Sequence, residues 1–349
     1  MSSQSTSSAV ALEEGTKEPK QRKRKRGAGD EDRELIDPHQ ARRAYMLIAP
    51  TIVLLAIVIG YPVLRAVWMS FQQDAQLDPQ TGFFQEGGFA GFENYTHWLL
   101  QRCGDTSCPV GTTAAGFWEV VWITVFFTVV TVSLELVLGF AFAMIMNGKY
   151  RGRGLVRASI LIPWAIPTAV TAKLWYFIFA TNGIANAILN TDILWFSDKW
   201  AARTAIIVAD VWKTTPFMAL LILAGLQLIS ADIYEAAKVD GASPWQRFTA
   251  ITLPLVKPAL MVALLFRTLD VLRMYDLPAI MTGGGAGNGN DTTTLSILVV
   301  EEIRSGFNSA AALSTLTFLF VFAVAFVFIK FLGVNAVESG GSGGGEKRK

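Results

Sequence analysis

Two histidines and two cysteines are all that 349 residues offer by way of neutral-pH proton carriers and thiol ligands. His39 lies in a polar tail and His97 in a loop, so a histidine-based catalytic site has no place to assemble. No nucleophile elbow and no metal-ligand spacing occur, and no metal site is expected. The sequence G-x-x-x-x-G-K-[ST] is missing as well, so any ATP chemistry must belong to another chain. With nothing to carry catalysis, the chain reads as a non-enzymatic component. Charge is scarce too: Asp, Glu, Lys and Arg make up 17% of the residues, well below the usual share in a soluble domain.

What fills the space is apolar. Hydrophobic residues make up 52% of the chain, its mean hydropathy is +0.40, and the apolar runs fall near 45–70, 118–146, 158–180, 204–228, 258–281 and 311–332. Each run can cross a hydrocarbon core of about 30 Å, which takes roughly 20 helical residues. The expected fold is therefore an all-α integral membrane protein with six transmembrane helices, and an even number of crossings puts both termini on one side. Residues 1–44 read as a disordered basic tail, 45–332 as the transmembrane domain and 333–349 as a flexible tail. The long connections are 72–117, 229–257 and 282–310.

Lys and Arg decide which side is which. Ten precede residue 45, four fall from Lys149 to Arg157, and Lys238, Arg247 and Lys257 lie within the 229–257 connection. The opposite loops hold Arg102, Lys199, Arg203 and Arg304 against ten acidic residues. The positive-inside rule then makes the termini and the 229–257 loop cytoplasmic. No cleavable signal peptide is expected, because a long basic tail precedes a first span too long for an h-region. The run QRKRKR (21–26) could suit nucleic acid. On a membrane protein it reads instead as a solvated tail drawn to anionic lipid, and no nucleic-acid partner is expected.

Cys103 and Cys108 both fall in the external 72–117 loop, so a local disulfide is expected, with two free thiols as the alternative. The third span contains PWAIP (163–167), whose two prolines should kink or unwind the helix; that is tolerable where it is buried in protein or lines a cavity. The glycine-rich TGGGAGNGN (282–290) reads as an external loop.

Ionisable groups inside spans are functional candidates. Arg267, Asp270, Arg273 and Asp276 stand three residues apart with alternating sign. They either neutralise one another along one helix or form a polar strip on a translocation path, Arg267 and Asp270 nearest the bilayer centre. Asp210 and Lys213 flank Trp212 and precede Thr214-Thr215. That grouping suits a sugar, whose C–H face stacks on a ring while carboxylate and hydroxyl meet its hydroxyls, and equally suits an interfacial tryptophan beside a local ion pair. Glu135 and Lys173 are single charges, expected to hold helices together.

Residues 235–258 read EAAKVDGASPWQRFTAITLPLVKP. Glu235, Ala236 and Ala237 open a short helix that Asp240-Gly241 breaks. Ser243, Pro244 and Gln246 begin a second one with a capping box, and Phe248, Ile251 and Leu253 give it an apolar side before Pro254, where it is expected to end. Two short helices on a tight turn make a knob suited to being held by a partner.

This stretch resembles the EAA loop of permease subunits in ATP-binding-cassette importers. GFENY (91–95), RGRGLVR (151–157), PWAIP, AGLQLI (224–229) and YDLPAIMTGGG (275–285) are similar, in the same order, to carbohydrate-importer permeases of the maltose and glycerol-phosphate type, trehalose carriers among them. The resemblance covers about residues 45–332 and implies a type I importer permease fold in a bacterial cytoplasmic membrane. It implies that Glu235, Ala236, Ala237, Asp240, Gly241 and Ala242 form a coupling helix and turn held by a cytoplasmic ATPase dimer, which would carry the ATP and magnesium; no cofactor is expected in this chain. Trp212, Thr214, Arg267, Asp270 and Tyr275 would line the path of a sugar, a disaccharide such as trehalose. A second homologous permease, an extracytoplasmic sugar-binding protein near the 282–310 loop, and membrane lipid would be the partners. One departure stands out: Ala286 follows the three glycines where the family often has proline, which implies a more flexible loop. An ion-coupled secondary sugar transporter using Asp270 or Glu135 is the alternative, and it leaves the 235–258 knob without a task.

Overall fold

The structure, a computed structural model, describes residues 38–77, 82–85, 87–286 and 289–330. The basic run 21–26 and the Gly/Ser-rich 333–349 segment, both expected to be tails, lie outside the described residues. Helix α1 (Pro38–Leu55) starts inside the stretch expected to be tail and, with a π-helical turn (Ala56–Gly60), makes up a first unit.

The second unit begins with α2 (Tyr61–Met69) and continues through α3 (Glu93–Leu99), α4 (Phe117–Asn147), α5 (Arg153–Ala165), α6 (Thr168–Ile178), α7 (Ile184–Leu189) and α8 (Lys199–Gln227). After these come α9 (Ala231–Val239), α10 (Pro244–Arg247), α11 (Leu253–Val271), α12 (Asp276–Thr282), α13 (Leu295–Glu302) and α14 (Phe307–Phe328). Two short antiparallel hairpins, β1 (Gln76–Leu77) with β2 (Phe84–Gln85) and β3 (Arg102–Cys103) with β4 (Thr106–Ser107), decorate the 72–117 loop.

Among the described residues, five stretches are long and apolar enough to cross a membrane: Tyr45–Met69, Ala114–Asn147, Lys199–Gln227, Pro244–Val271 and Phe307–Phe328. The sixth is the pair α5 and α6, bent by 92°. Ile166 is extended and Pro167 starts the second half, as a proline that lacks an N–H and disfavours helix at the residue before it requires. The pair crosses the membrane rather than returning, because Lys199 at the start of α8 reaches Glu119 at the start of α4 (3.9 Å). Those two helices therefore run parallel, and α5 with α6 must carry the chain back between them.

The fifth span corrects the sequence reading. Pro254 ends nothing: α10 runs through a π-helical turn (Phe248–Thr252) into α11, and Pro254 sits in the first turn of α11. The wider π turn shifts the backbone where the missing N–H would otherwise break the ladder. The helix leaves its axis after Val271 rather than at residue 281, so Arg273 and Asp276 do not continue the row begun by Arg267 and Asp270.

Helices α4, α8 and α11 form the centre. One apolar cluster packs Ile123, Phe127, Ala205, Ile206 and Ala209 with Met274 and Met281; a second, at the other end, packs Ala143, Met146, Met218, Ile222 and Leu226 with Val256 and Leu260. Close approach is set by Gly225, where an added Cβ would stand 2.5 Å from the Ala259 Cβ.

A third cluster joins the 72–117 loop to α13 and α14 through Trp98, Phe117, Val120, Leu298, Ala312 and Leu313. The buried Trp98 indole donates to the Ser309 carbonyl (3.2 Å), and the Asp74 carboxylate accepts from the backbone N–H of Asn308 and Ser309 (2.6 and 3.0 Å), capping α14 from a distant loop. Cys103 and Cys108 are bonded to each other. His97 Nδ1 stands 3.8 Å from each sulfur, but thiols consumed in a disulfide offer no thiolate to a metal.

Candidate translocation cavity and coupling knob

Arg267 projects from the middle of α11 and is almost fully buried. Its Nε and Nη2 donate to the two carboxylate oxygens of Glu135 on α4 (2.5 and 2.9 Å), Nη2 also pairs with Asp210 on α8, and Nη1 with Asp270 one turn along α11. Thr214 donates to Glu135 Oε1 (2.5 Å) and turns back to the Asp210 carbonyl, one turn earlier on α8. One guanidinium thus ties three helices together, which is how a bilayer-depth charge is made tolerable. Glu135 holds helices together as expected. Lys173 does not: it is exposed and lies over the Tyr176 ring of its own helix (5.4 Å).

Beside this cluster opens a polar cavity of about 320 Å³. Asp270 faces it with 66% of its side chain exposed, while its partner Arg267 stays buried behind. Thr214, Lys213, Tyr275 and Asp276 join the wall, and so do Trp164 and Thr168, which flank the break in the third span. The broken helix lines a cavity, the situation in which membrane-depth irregularity is tolerated. Thr214, Arg267, Asp270 and Tyr275, named from the sequence, come together here. Trp212 is elsewhere, edge-on to Trp175 (5.7 Å) in an apolar cleft on another side of α8. Asp210 takes Arg267 as its ion-pair partner in place of Lys213. Trp164 and Thr168 escaped the sequence reading, although PWAIP itself was the signal that could have found them.

At the end of the cavity, the glycine-rich 282–290 connection is followed by a buried, fastened stretch. Asp291 meets Lys199 (2.8 Å), and its carbonyl accepts from Arg203 Nε (2.8 Å). Thr292 bonds to Thr282 (2.8 Å), Thr293 to the Gly284 carbonyl and Thr294 to the Met274 carbonyl (2.7 Å). The three threonines thus anchor the chain where it leaves the glycine-rich connection.

The 229–257 loop takes the form that its residues dictate. Ser230 caps α9, accepting from the Asp232 N–H (3.3 Å). Gly241 has φ +77°, its N–H donates to the Lys238 carbonyl (3.1 Å) and the Ala242 N–H to the Ala237 carbonyl (2.9 Å), which together make a Schellman motif. Ser243 and Gln246 complete the capping box at α10 (3.3 and 2.8 Å). Tyr234 fixes α9 to the π turn through Thr252 (2.9 Å). Glu235, Ala236, Asp240 and Gly241 are exposed, Ala237 and Ala242 partly so. Around them Leu228 and Val239 are each 87% exposed and Trp245 71%. The knob is thus hydrogen-bonded internally and exposes an apolar rim on its outer side.

Comparison with known proteins agrees with this architecture. The chain is 40% identical over 297 residues to the trehalose/maltose transport system permease protein MalF of Thermococcus litoralis (83% of this chain, 94% of that protein). It is 39% identical over 301 residues to the trehalose transport system permease protein SugA of Mycobacterium tuberculosis (85% and 91%). Its fold matches a chain in the crystal structure of a bacterial transporter for the acidic polysaccharide alginate, with TM-score 0.65 at 20% identity over 86% of this chain and 96% of that one. Residues 135–336 match the family model described as the binding-protein-dependent transport system inner membrane component. The chain is therefore a multi-pass membrane permease that belongs to the family of inner membrane components of binding-protein-dependent transport systems.

Proposed function

We propose that this permease imports a sugar, a neutral disaccharide of the trehalose type, by alternating access driven by a partner ATPase. The observation that carries the reading is Asp270. Its carboxylate is exposed to a cavity of disaccharide scale, anchored from behind by Arg267 and flanked by the rings of Trp164 and Tyr275. A fixed carboxylate accepts hydrogen bonds from sugar hydroxyls, and an aromatic face covers the C–H side of a pyranose. The relatives named for trehalose and maltose transport support the same cargo class.

Residues of this chain form one wall, and a second, homologous permease would supply the other. The exposed knob from Glu235 to Ala242 would seat in the ATPase, which holds the ATP and magnesium. Closure of the ATPase dimer would move the knob as a rigid lever and rock α4, α8 and α11 together, as the one body that their ion cluster makes them. An extracytoplasmic binding protein would deliver sugar to the end where the 282–310 segment lies.

The test is uptake of labelled trehalose by the reconstituted transporter carrying Asp270→Asn. Loss of charge-assisted hydrogen bonds, about 1.5–3 kcal/mol, predicts a KM raised roughly 10–100-fold with assembly intact. Unchanged uptake would remove the cavity from the path. Uptake that persists without the ATPase subunit would favour the ion-coupled alternative.

A further inference from the structure

The turn joining α4 to α5 and the start of α5 carry Lys149, Arg151, Arg153 and Arg157, and no acidic residue lies between them. Arg157 is committed: Nε and Nη2 both donate to the Met146 carbonyl (3.0 and 2.6 Å), closing the end of α4. Lys149, Arg151 and Arg153 are exposed, and among the described residues no carboxylate forms an ion pair with them.

Next to this turn lies an apolar cleft of about 520 Å³ between α4, α5 and α8. Leu138 and Phe142 wall one side, Ile160 and Pro163 the second, Val211 and Trp212 the third, and Ser159 is one of its few polar groups. Ser159 follows Arg153 by six residues, about 9 Å of helix rise, so the cations lie just beyond the end of the cleft that Ser159 lines. The positive-inside rule accounts for cations on this side. It does not account for an apolar cleft at membrane depth running away from them.

We propose that this turn and cleft form a binding site for one anionic phospholipid, with its phosphate on Lys149, Arg151 and Arg153 and an acyl chain in the cleft. Charge complementarity selects this occupant. A phosphodiester supplies the charge and the tail together, and guanidinium groups grip phosphate oxygens in pairs. The site bears on transport through α5, whose far end holds Trp164 and the break beside the polar cavity. A lipid seated along α5 braces the half-helix that must keep its angle as the cavity changes access.

The complete transporter, reconstituted in nanodiscs of phosphatidylglycerol or phosphatidylcholine, gives the test by native mass spectrometry and by uptake. Wild type is expected to retain phosphatidylglycerol selectively and to transport faster with it. Each basic side chain contributes about fivefold in affinity, so Lys149→Gln with Arg151→Gln and Arg153→Gln is expected to weaken retention about a hundredfold. Ile160→Trp fills the cleft with the cations intact and is expected to displace the lipid as well. The charge-preserving pair Arg151→Lys with Arg153→Lys should keep it. Retention unchanged in the triple variant overturns the site, as does loss in both charge-neutral and charge-preserving variants. A cross-link from the Ile160→Cys variant to the second permease subunit would overturn the site by showing that protein covers the cleft instead.

Discussion

Arg267 meets its partners across distances that a linear reading cannot see. Its spacing to Asp270 showed in the sequence, as a pair on one helix; Glu135, 132 positions away, gave no such sign because its partner lies on another span. Removing the guanidinium leaves buried carboxylates from α4 and α8 unpaired, a loss of about 3–5 kcal/mol for a buried ion pair. Arg267→Met is therefore expected to lower the melting temperature of the purified permease sharply, and adding Glu135→Gln should recover part of the loss. A double mutant no more stable than the single one would mean that the cluster contributes little. Glu302 makes a separate case outside the spans. Burial pushes its carboxyl above the ordinary value of 4.5, against the hydrogen bond it accepts from Thr113 (3.3 Å). A raised carboxyl pKa favours the folded state fully below 4.5, and that contribution is lost as pH climbs through the raised value. Amide protection in the 72–117 loop, taken relative to the intrinsic exchange rate at each pH, should consequently fall as pH rises above 4.5, and Glu302→Gln should flatten that profile. An identical pH profile in that variant would assign the effect to other groups.

Local chemistry made short elements readable. The Gly241 turn, the Ser243–Gln246 box and the PWAIP break each depend on neighbours within a few positions, and each took the expected form. The run from Pro244 to Val271 was misread because a π turn absorbs Pro254, and that turn is decided by packing: Phe140 meets Phe248 edge-on (5.4 Å) and Tyr234 holds Thr252. Long packed loops were harder still. The Asp74 cap on α14 and the threonine anchors after the glycine strap join residues that share no periodicity. The break in the third span carries its own prediction. Pro167→Ala restores an N–H and relaxes the constraint on Ile166, so α5 and α6 should tend towards one straight helix. Trp164 and Thr168 would then leave the cavity wall, and uptake should fall while the amount of inserted protein stays constant. Full uptake in Pro167→Ala would show that the cavity forms without the break.

At the scale of the whole molecule, two distant places are joined by rigid elements: the ion cluster on the middle of α11 and the knob at one end. The cluster binds α4, α8 and α11 into one body, and α11 continues through the π turn into α10 as a continuous helical rod, along which a push on the knob would pass under the proposed mechanism. Only the Gly241 turn joins α9 to that rod in sequence, and Tyr234 pins the two in space. Gly241→Pro removes the N–H that donates to Lys238 and forbids φ +77°, so α9 should swing away from α10 while the spans insert and pair as before. Gly241→Ala keeps the N–H and pays about 1–2 kcal/mol for a left-handed alanine. In reconstituted transporter, ATP hydrolysis and sugar uptake measured side by side separate the outcomes. The proline variant is expected to abolish uptake and its coupling to hydrolysis, and the alanine variant to retain both at reduced level. Equal uptake in all three proteins would mean that force reaches the cavity by a route other than this knob.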